Sequence, residues 1–396
     1  MKRCGALLLL AAACTSQPVT PSPSPTTTTA AASLTPTPTV TPTRAQGAGP
    51  SAAATGAVRI VIVARPANVP AEFRYVPGAD VDLRSLFLVD LGTGVNTPVL
   101  SVSVGPTGSA SFSTSKDGRR IVVGAWRNDA HGTISSVDVE KGAVTTLYED
   151  IEVGATYANS AVISPDGSRW AFASAKDVRV GDTAGGPTRV IAAHDDPNRV
   201  GGTWRPVAWS ADNAWLALSR ANEATSEMAI ANTANASVRR LGAGTSAAWR
   251  PRIPMRAPEL VVGAGAGAFG GSTALYTYDV AATRGGVLVN GGSLRIGSLA
   301  WHPSEDRFLY TAGQPGPPGD DIFTWRLGDP AATRVASSRK VLAAWWSSDG
   351  SKIYALATRA DALASASGVA NYEVIDVASG KVVAAVCRGD PRAACP

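Results

Sequence analysis

An all-β fold assembled from a repeated unit is what this sequence predicts, and three observations predict it. First, a strand-like run ending in an acidic residue or a polar stand-in recurs seven times: Leu86-Phe-Leu-Val-Asp90, Ile134-Ser-Ser-Val-Asp138, Val178-Arg-Val-Gly-Asp182, Met228-Ala-Ile-Ala-Asn232, Leu275-Tyr-Thr-Tyr-Asp279, Ile322-Phe-Thr-Trp-Arg326 and Tyr372-Glu-Val-Ile-Asp376. The last residues of these runs lie 48, 44, 50, 47, 47 and 50 positions apart, a period that marks repeat architectures. Second, Asp-Gly turns or their relatives precede the runs, and Asp-Gly between apolar stretches is a hairpin signal because both residues tolerate positive φ. Third, only 17% of residues are charged while glycines number 40 and prolines 27, which suits many short strands and tight turns better than surface helices. Four antiparallel strands per unit, seven times over, is the arithmetic of a seven-bladed β-propeller.

From the N-terminus, Met1-Lys2-Arg3 supplies a short positive region, and the apolar run from Gly5 to Ala13 is too short to span a bilayer. It stops at Leu10-Ala-Ala-Ala-Cys14, a pattern that resembles the lipobox of bacterial lipoproteins, with Ala11 where leucine is commonest. The resemblance implies a signal peptide over 1–13, lipid on Cys14 and an extracytoplasmic, membrane-anchored protein, at the cell surface or in the periplasm. Residues 14–56, rich in Thr, Pro, Ser and Ala, carry too little apolar bulk to offset chain entropy. They read as a disordered linker, extended at ~3 Å per residue by its prolines.

The propeller occupies 57–396. Its first unit opens at Val58-Arg-Ile-Val-Ile-Val63, preceded only by Ala-rich sequence, so its innermost strand is missing or poorly formed and six blades is the alternative count. The first turns of later units are Phe112-Ser-Thr-Ser-Lys-Asp117-Gly118, Ile163-Ser-Pro-Asp166-Gly167, Trp209-Ser-Ala-Asp212-Asn213, Trp301-His-Pro-Ser-Glu305-Asp306 and Trp346-Ser-Ser-Asp349-Gly350. The fifth unit departs, with Trp249-Arg-Pro-Arg-Ile-Pro-Met-Arg-Ala-Pro258 and no Asp-Gly. Ser164-Pro165-Asp166-Gly167, followed by Ser-Arg-Trp-Ala-Phe-Ala, resembles the repeat of TolB-type propellers, relatives of WD-repeat propellers. That resemblance covers about 57–390 and implies a fold. It also implies the company of protein binders and of the non-catalytic halves of peptidases. The separate N-terminal domain of TolB has no counterpart here.

Loop lengths point to one end as the binding surface. The two Asp-containing turns of each unit are short and share one end; the other end collects middle loops and unit-to-unit connections of variable length, where binding residues gather. Candidates there are Phe73, Arg74 and Tyr75 in Pro66–Arg84; His194, Asp195, Asp196, Arg199, Trp204 and Arg205 in the third connection; and Asp320 and Asp321 after Gln314. His194-Asp195-Asp196 has carboxylates that suit a divalent cation, but three adjacent polar residues in a connection read as a solvated turn, so no metal is expected. Gly265-Ala-Gly-Ala-Phe-Gly270 matches a dinucleotide fingerprint yet leads into another strand, not a helix that would hold a phosphate. The tryptophans at 209, 249, 301 and 345 read as blade packing.

Removal of Lys2 and Arg3 leaves 34 basic against 31 acidic residues, a balance too even for nucleic acid. No nucleophile motif occurs, so no catalytic residue and no cofactor is assigned. Cys4 leaves with the leader and Cys14 takes lipid; Cys387 and Cys395 then form an even pair in an exported domain, and a disulfide between them is expected. The function expected is non-enzymatic binding, by a monomer, of a protein or a cell-envelope polymer. The alternatives are a hydrolase or lyase with its site at the axial mouth, and an accessory propeller of a separate peptidase.

Overall fold

The computed structural model describes residues 59–64, 82–90, 96–104, 109–126, 131–152, 161–195, 202–221, 226–251, 258–264, 272–292, 294–313, 321–335, 340–347, 349–358 and 370–387. Among them are 27 strands in seven antiparallel sheets, each sheet ordered as its strands follow in the chain. Unit 1 has three: β1 (Arg59–Ala64), β2 (Asp82–Asp90) and β3 (Asn96–Val104). The other six have four. Unit 2 comprises β4 (Ser109–Thr114), β5 (Arg120–Trp126), β6 (His131–Asp138) and β7 (Ala143–Glu152). Unit 3 comprises β8 (Ala161–Ile163), β9 (Arg169–Ala173), β10 (Asp177–Asp182) and β11 (Arg189–Ala193). Unit 4 comprises β12 (Arg205–Trp209), β13 (Trp215–Ala221), β14 (Ser226–Asn232) and β15 (Val238–Ala243). Unit 5 comprises β16 (Ser246–Trp249), β17 (Glu259–Ala264), β18 (Ala274–Asp279) and β19 (Arg284–Asn290). Unit 6 comprises β20 (Arg295–Trp301), β21 (Arg307–Gly313), β22 (Asp321–Arg326) and β23 (Thr333–Val335). Unit 7 comprises β24 (Lys340–Trp346), β25 (Lys352–Thr358), β26 (Ala370–Asp376) and β27 (Lys381–Cys387).

All seven runs picked out by the period are strands, the last-but-one of each sheet. The first strands β4, β8, β12, β16, β20 and β24 lie side by side in that order, so they form the innermost layer. The second strands are the driest: β9 from Trp170 to Ala173 and β21 from Phe308 to Gly313 are buried throughout. Unit 1 has three strands among the described residues; the residues before Arg59, where the sequence predicts a missing or poorly formed innermost strand, lie outside them.

The turns follow from their side chains. In four units a serine hydroxyl donates to an aspartate at 2.6 Å: Ser115 to Asp117, Ser164 to Asp166, Ser210 to Asp212 and Ser347 to Asp349. The same hydroxyl accepts the N–H that opens the next strand, from Arg120, Arg169, Trp215 or Lys352. The aspartate accepts the N–H two residues on, at 3.0 Å in each case. Such side-chain-to-backbone bonds offer the chain a turn in place of strand pairing. The next residue has positive φ in all four (Gly118, Gly167, Asn213, Gly350), hence glycine or asparagine.

Neighbouring units are hooked together along the innermost layer. The indole N–H of Trp209 donates to the Val162 carbonyl, Trp249 to Ala208, Trp301 to Ala248 and Trp346 to Ala300, at 3.0–3.2 Å. The fourth member of this set is Trp346, which corrects the expectation of Trp345. A one-residue slip on a strand turns a side chain to the opposite face.

Candidate functional site: the long-loop end

The two ends of the units differ in what their polar groups do. At the short-turn end, each step from unit 2 to unit 7 carries a latch. Arg120 of unit 2 donates to Thr183 Oγ1 (2.5 Å) and to the Gly167 carbonyl of unit 3. Arg169 of unit 3 repeats this on Thr233 (3.1 Å) and Asn213 of unit 4. Unit 4 has Trp215 at that position, so Arg239 stacks over its ring and reaches the Val280 carbonyl of unit 5. In unit 5, where the Asp-Gly turn is absent, the buried Arg250 bridges Glu259 (2.6 Å) and Asp306 of unit 6 (2.7 Å). His302 of unit 6 bonds the Gly350 carbonyl of unit 7 at 3.2 Å. Lys116 of unit 2 also reaches the Pro303 carbonyl of unit 6 at 3.2 Å, a bridge between units four apart.

The long-loop end holds the described candidates. His194 is buried, and its Nδ1 accepts the Trp204 backbone N–H (3.1 Å), so its Nε2 carries the proton and donates to the Ser174 carbonyl (2.9 Å). Trp204 is buried too; these two side chains fasten the connection to unit 3 rather than face outward. Above the Trp204 ring lie the guanidinium groups of Arg220 (4.7 Å) and Arg240 (6.0 Å), at cation–π range. Arg220 pairs with Asp195 and Glu227, and Arg240 with Asp195 (2.6 Å) and Glu227 (3.8 Å). The result is a half-exposed roof of two arginines and two carboxylates. Beside it Asp177, buried, takes a two-pronged bond from Arg179 (2.8 and 3.0 Å) and a hydroxyl bond from Ser174. In unit 6, Asp321 at the start of β22 pairs with Arg334 at 3.1 Å. Arg205 begins β12 at this end.

Phe73, Arg74, Tyr75, Asp196, Arg199, Asp320, Cys14 and Cys395 lie outside the described residues, as do 1–58; Cys387 ends β27. Arg220, Glu227 and Arg240 were not visible as site residues in the sequence. Arg220 and Glu227 flank the β13–β14 loop and are direct cross-strand partners, which is the signal that a register-aware reading would use.

Among the described residues no group of three or more His, Cys, Asp or Glu is placed to hold a metal ion. The Ser174 hydroxyl bonds Asp177, while the imidazole of His194 bonds the Ser174 backbone, so the pair lacks nucleophile–base geometry. The arrangement is suited to polar recognition: paired charges and an aromatic base on a rigid frame.

Burial holds the imidazoles of His194 and His302 below the ordinary histidine value. Both Nδ1 atoms accept backbone N–H groups, from Trp204 and from Ser304 and Glu305, which only a neutral ring can do. A histidine depressed on folding binds fewer protons folded than unfolded, so stability is full above the unfolded value of 6.5 and is lost as pH falls below it. Asp349 is held below 3.8 chiefly by the Ser347 bond; for Asp166, burial pulls upward but the Ser164 and Ser168 bonds outweigh it. Those carboxylates add a second loss as pH falls below 3.8. The urea midpoint is therefore expected to drop between pH 7.5 and 5.5 and again below pH 4. A midpoint flat from 7.5 to 5.5 would contradict the neutral imidazoles.

No protein-family model matches the sequence, and no curated protein does. Solved structures do match. A prolyl endopeptidase aligns over 84% of this chain at TM-score 0.53 and 13% identity; the match covers 51% of that protein, about half its length. An oligogalacturonate lyase from Vibrio parahaemolyticus aligns over 77% of this chain and 84% of its own at TM-score 0.53 and 12% identity. Together with the seven ordered sheets, these matches decide the fold. The chain is a β-propeller. A TolB structure from Acinetobacter baumannii is also among the matches, covering 81% of this chain and 62% of that chain at TM-score 0.43 and 10% identity. At such identities the likeness reaches the fold of the propeller and stops short of its activity.

Proposed function

We propose that this propeller is an exported, lipid-anchored binding module that engages a protein or a cell-envelope polymer through its long-loop end. The observation that carries the reading is the division of labour between the ends. The short-turn end carries the latches that join the units, from Arg120 to His302. The long-loop end carries the variable connections and the Asp195–Arg220–Glu227–Arg240 roof, whose Arg240 side chain is 55% exposed. A partner reaching this roof meets charges already oriented by their neighbours, so little side-chain entropy is lost on binding.

The ligand-capture test uses the domain from Ala57 onward as bait, in wild-type form and with Arg240→Glu or, as a control on the opposite end, Arg119→Glu, whose side chain is 69% exposed. Arg240→Glu is expected to weaken retention of the captured partner about tenfold, the cost of turning a favourable charge into a repulsive one. Arg119→Glu is expected to leave it unchanged. Equal retention by both variants, or loss with Arg119→Glu alone, contradicts the reading.

Anchoring has its own test. Acyl chains contribute about 0.8 kcal/mol per buried methylene, and stable anchoring takes two such signals. Cys14→Ala is expected to move the protein from the membrane to the soluble fraction. Continued sedimentation with membranes would refute the lipid anchor.

A further inference from the structure

One imidazole secures both supports of the charged roof. The first support is an anion, Asp195, which pairs with Arg220 and with Arg240. The second is a floor, the Trp204 ring, on which the Arg220 guanidinium lies at 4.7 Å. Asp195 and Trp204 stand near opposite ends of the connection from β11 to β12. His194 ties those ends together. Its backbone N–H donates to the Lys176 carbonyl at 3.1 Å, and its ring links the Trp204 N–H to the Ser174 carbonyl. His194, Thr203 and Trp204 are buried, so water competes little for these bonds.

The tie works in one protonation state. A backbone N–H can only donate, so Nδ1 must offer a lone pair, as one nitrogen of a neutral imidazole does. A proton on Nδ1 would set two donors 3.1 Å apart and leave the buried Trp204 amide without this acceptor. The charged groups around the ring come from three places. Asp177 opens β10, with Arg179 bonded to it, and Lys176 beside it is exposed. Asp195 adjoins the ring in the chain, and Arg220, Glu227 and Arg240 approach from the strands of unit 4. Asp177 and Asp195 favour an imidazolium, but burial outweighs them and keeps the ring neutral at pH 7. The two carboxylates differ in freedom. Asp177 takes three bonds, from Arg179 and Ser174, and its side chain is 10% exposed; that of Asp195 is 38% exposed. Asp195 is therefore the acceptor that can turn to a charged His194.

We propose that the roof is proton-sensitive: a proton taken up by His194 breaks its bond to Trp204, draws Asp195 away from Arg220 and Arg240, and dissolves the charge arrangement offered to a partner. Its effect on binding rests on the reading that the roof receives the partner. The closed roof is fully favoured above pH 6.5 and weakens as pH falls below it, because the closed form holds the ring neutral. A single proton is involved, so affinity for a partner of the closed roof falls by at most about tenfold per pH unit.

NMR on the full chain with isotope-labelled histidine and arginine tests this without a partner. The His194 ring is expected to titrate below 6.5. The side-chain N–H signals of Arg220 and Arg240 are expected to move with the same midpoint, while the amides of β9 and β13 stay in place. His194→Asn keeps an acceptor oxygen near the position of Nδ1 and takes up no proton, so its arginine signals are expected to be flat from pH 7.5 to 5.5. The wild-type titration decides by itself should that variant not fold. Arginine signals that stay put while His194 titrates overturn the proposal, as do signals that move alike in His194→Asn. A His194 ring that titrates only as β9 and β13 unfold overturns it too. Partner capture separates this from the reading beneath it. Retention is expected to fall up to about tenfold between pH 6.5 and 5.5 in the wild type, and to hold in His194→Asn. Flat wild-type retention alongside moving arginine signals upholds the proton response and contradicts the roof as the partner's seat.

Discussion

Trp209→Ala is expected to cost the propeller about 3–5 kcal/mol, the range for truncating a buried aromatic to alanine. The indole of Trp209 is 5% exposed and lies between units 3 and 4. Its N–H satisfies the Val162 carbonyl across that boundary, and the Arg169 guanidinium rests 5.4 Å from its ring centre. Arg169 is itself the latch to Thr233 and Asn213, so the substitution removes packing and loosens the charged group above it. Trp209→Phe separates the two contributions. It keeps most of the apolar contact and loses the hydrogen bond, at about 1 kcal/mol. Urea unfolding followed by fluorescence of the remaining tryptophans reads both. A loss below 1 kcal/mol for Trp209→Ala would mean that the units hold together without this hook.

Gly350→Ala is the second large effect, and its origin is different. Gly350 has φ +76°, where a β-carbon costs about 1–2 kcal/mol. The added methyl group also runs into the His302 imidazole. His302 is buried, bonds the Gly350 carbonyl and lies edge-on to the Trp346 ring at 4.8 Å. It cannot move without losing the latch between units 6 and 7, and overpacking of this kind costs about 1–3 kcal/mol more. Gly118→Ala provides the comparison: φ is +70° in the equivalent turn of unit 2, but a β-carbon there meets nothing within 4 Å. The expected order is therefore a small loss for Gly118→Ala and a loss of a few kcal/mol for Gly350→Ala. Equal losses would assign the whole effect to the backbone and none to His302.

The repeat made the fold legible because its turns are written in local chemistry. Ser-x-Asp-Gly fixes a turn through bonds that span five residues, so it can be read without knowing the partner strand. The expectation of a weak first unit has the same basis: the residues before Val58 hold none of that chemistry. Facing directions were less legible. The adjacent Trp345 and Trp346 look alike in sequence, and only the register with β25 sends Trp346 to the Ala300 carbonyl. The long-loop end was legible in outline and opaque in detail. His194 and Trp204 stand out as a histidine and an aromatic in a polar connection, yet a bond between them closes the connection on itself. Arg220, Glu227 and Arg240 read as ordinary polar residues of separate strands. Their meeting depends on the pairing of β13 with β14 and on Asp195 arriving from another unit.

The account turns on which end of the propeller receives the partner, and amine-reactive cross-linking of the captured complex measures this directly. The lysines of the domain divide between the ends: Lys116, Lys141, Lys352 and Lys381 sit in or beside the short turns, whereas Lys176 follows β9 and Lys340 opens β24 at the long-loop end. Cross-links from the partner to Lys176 or Lys340, with none to the other four, are the predicted result. Cross-links confined to Lys116, Lys141, Lys352 or Lys381 would contradict it.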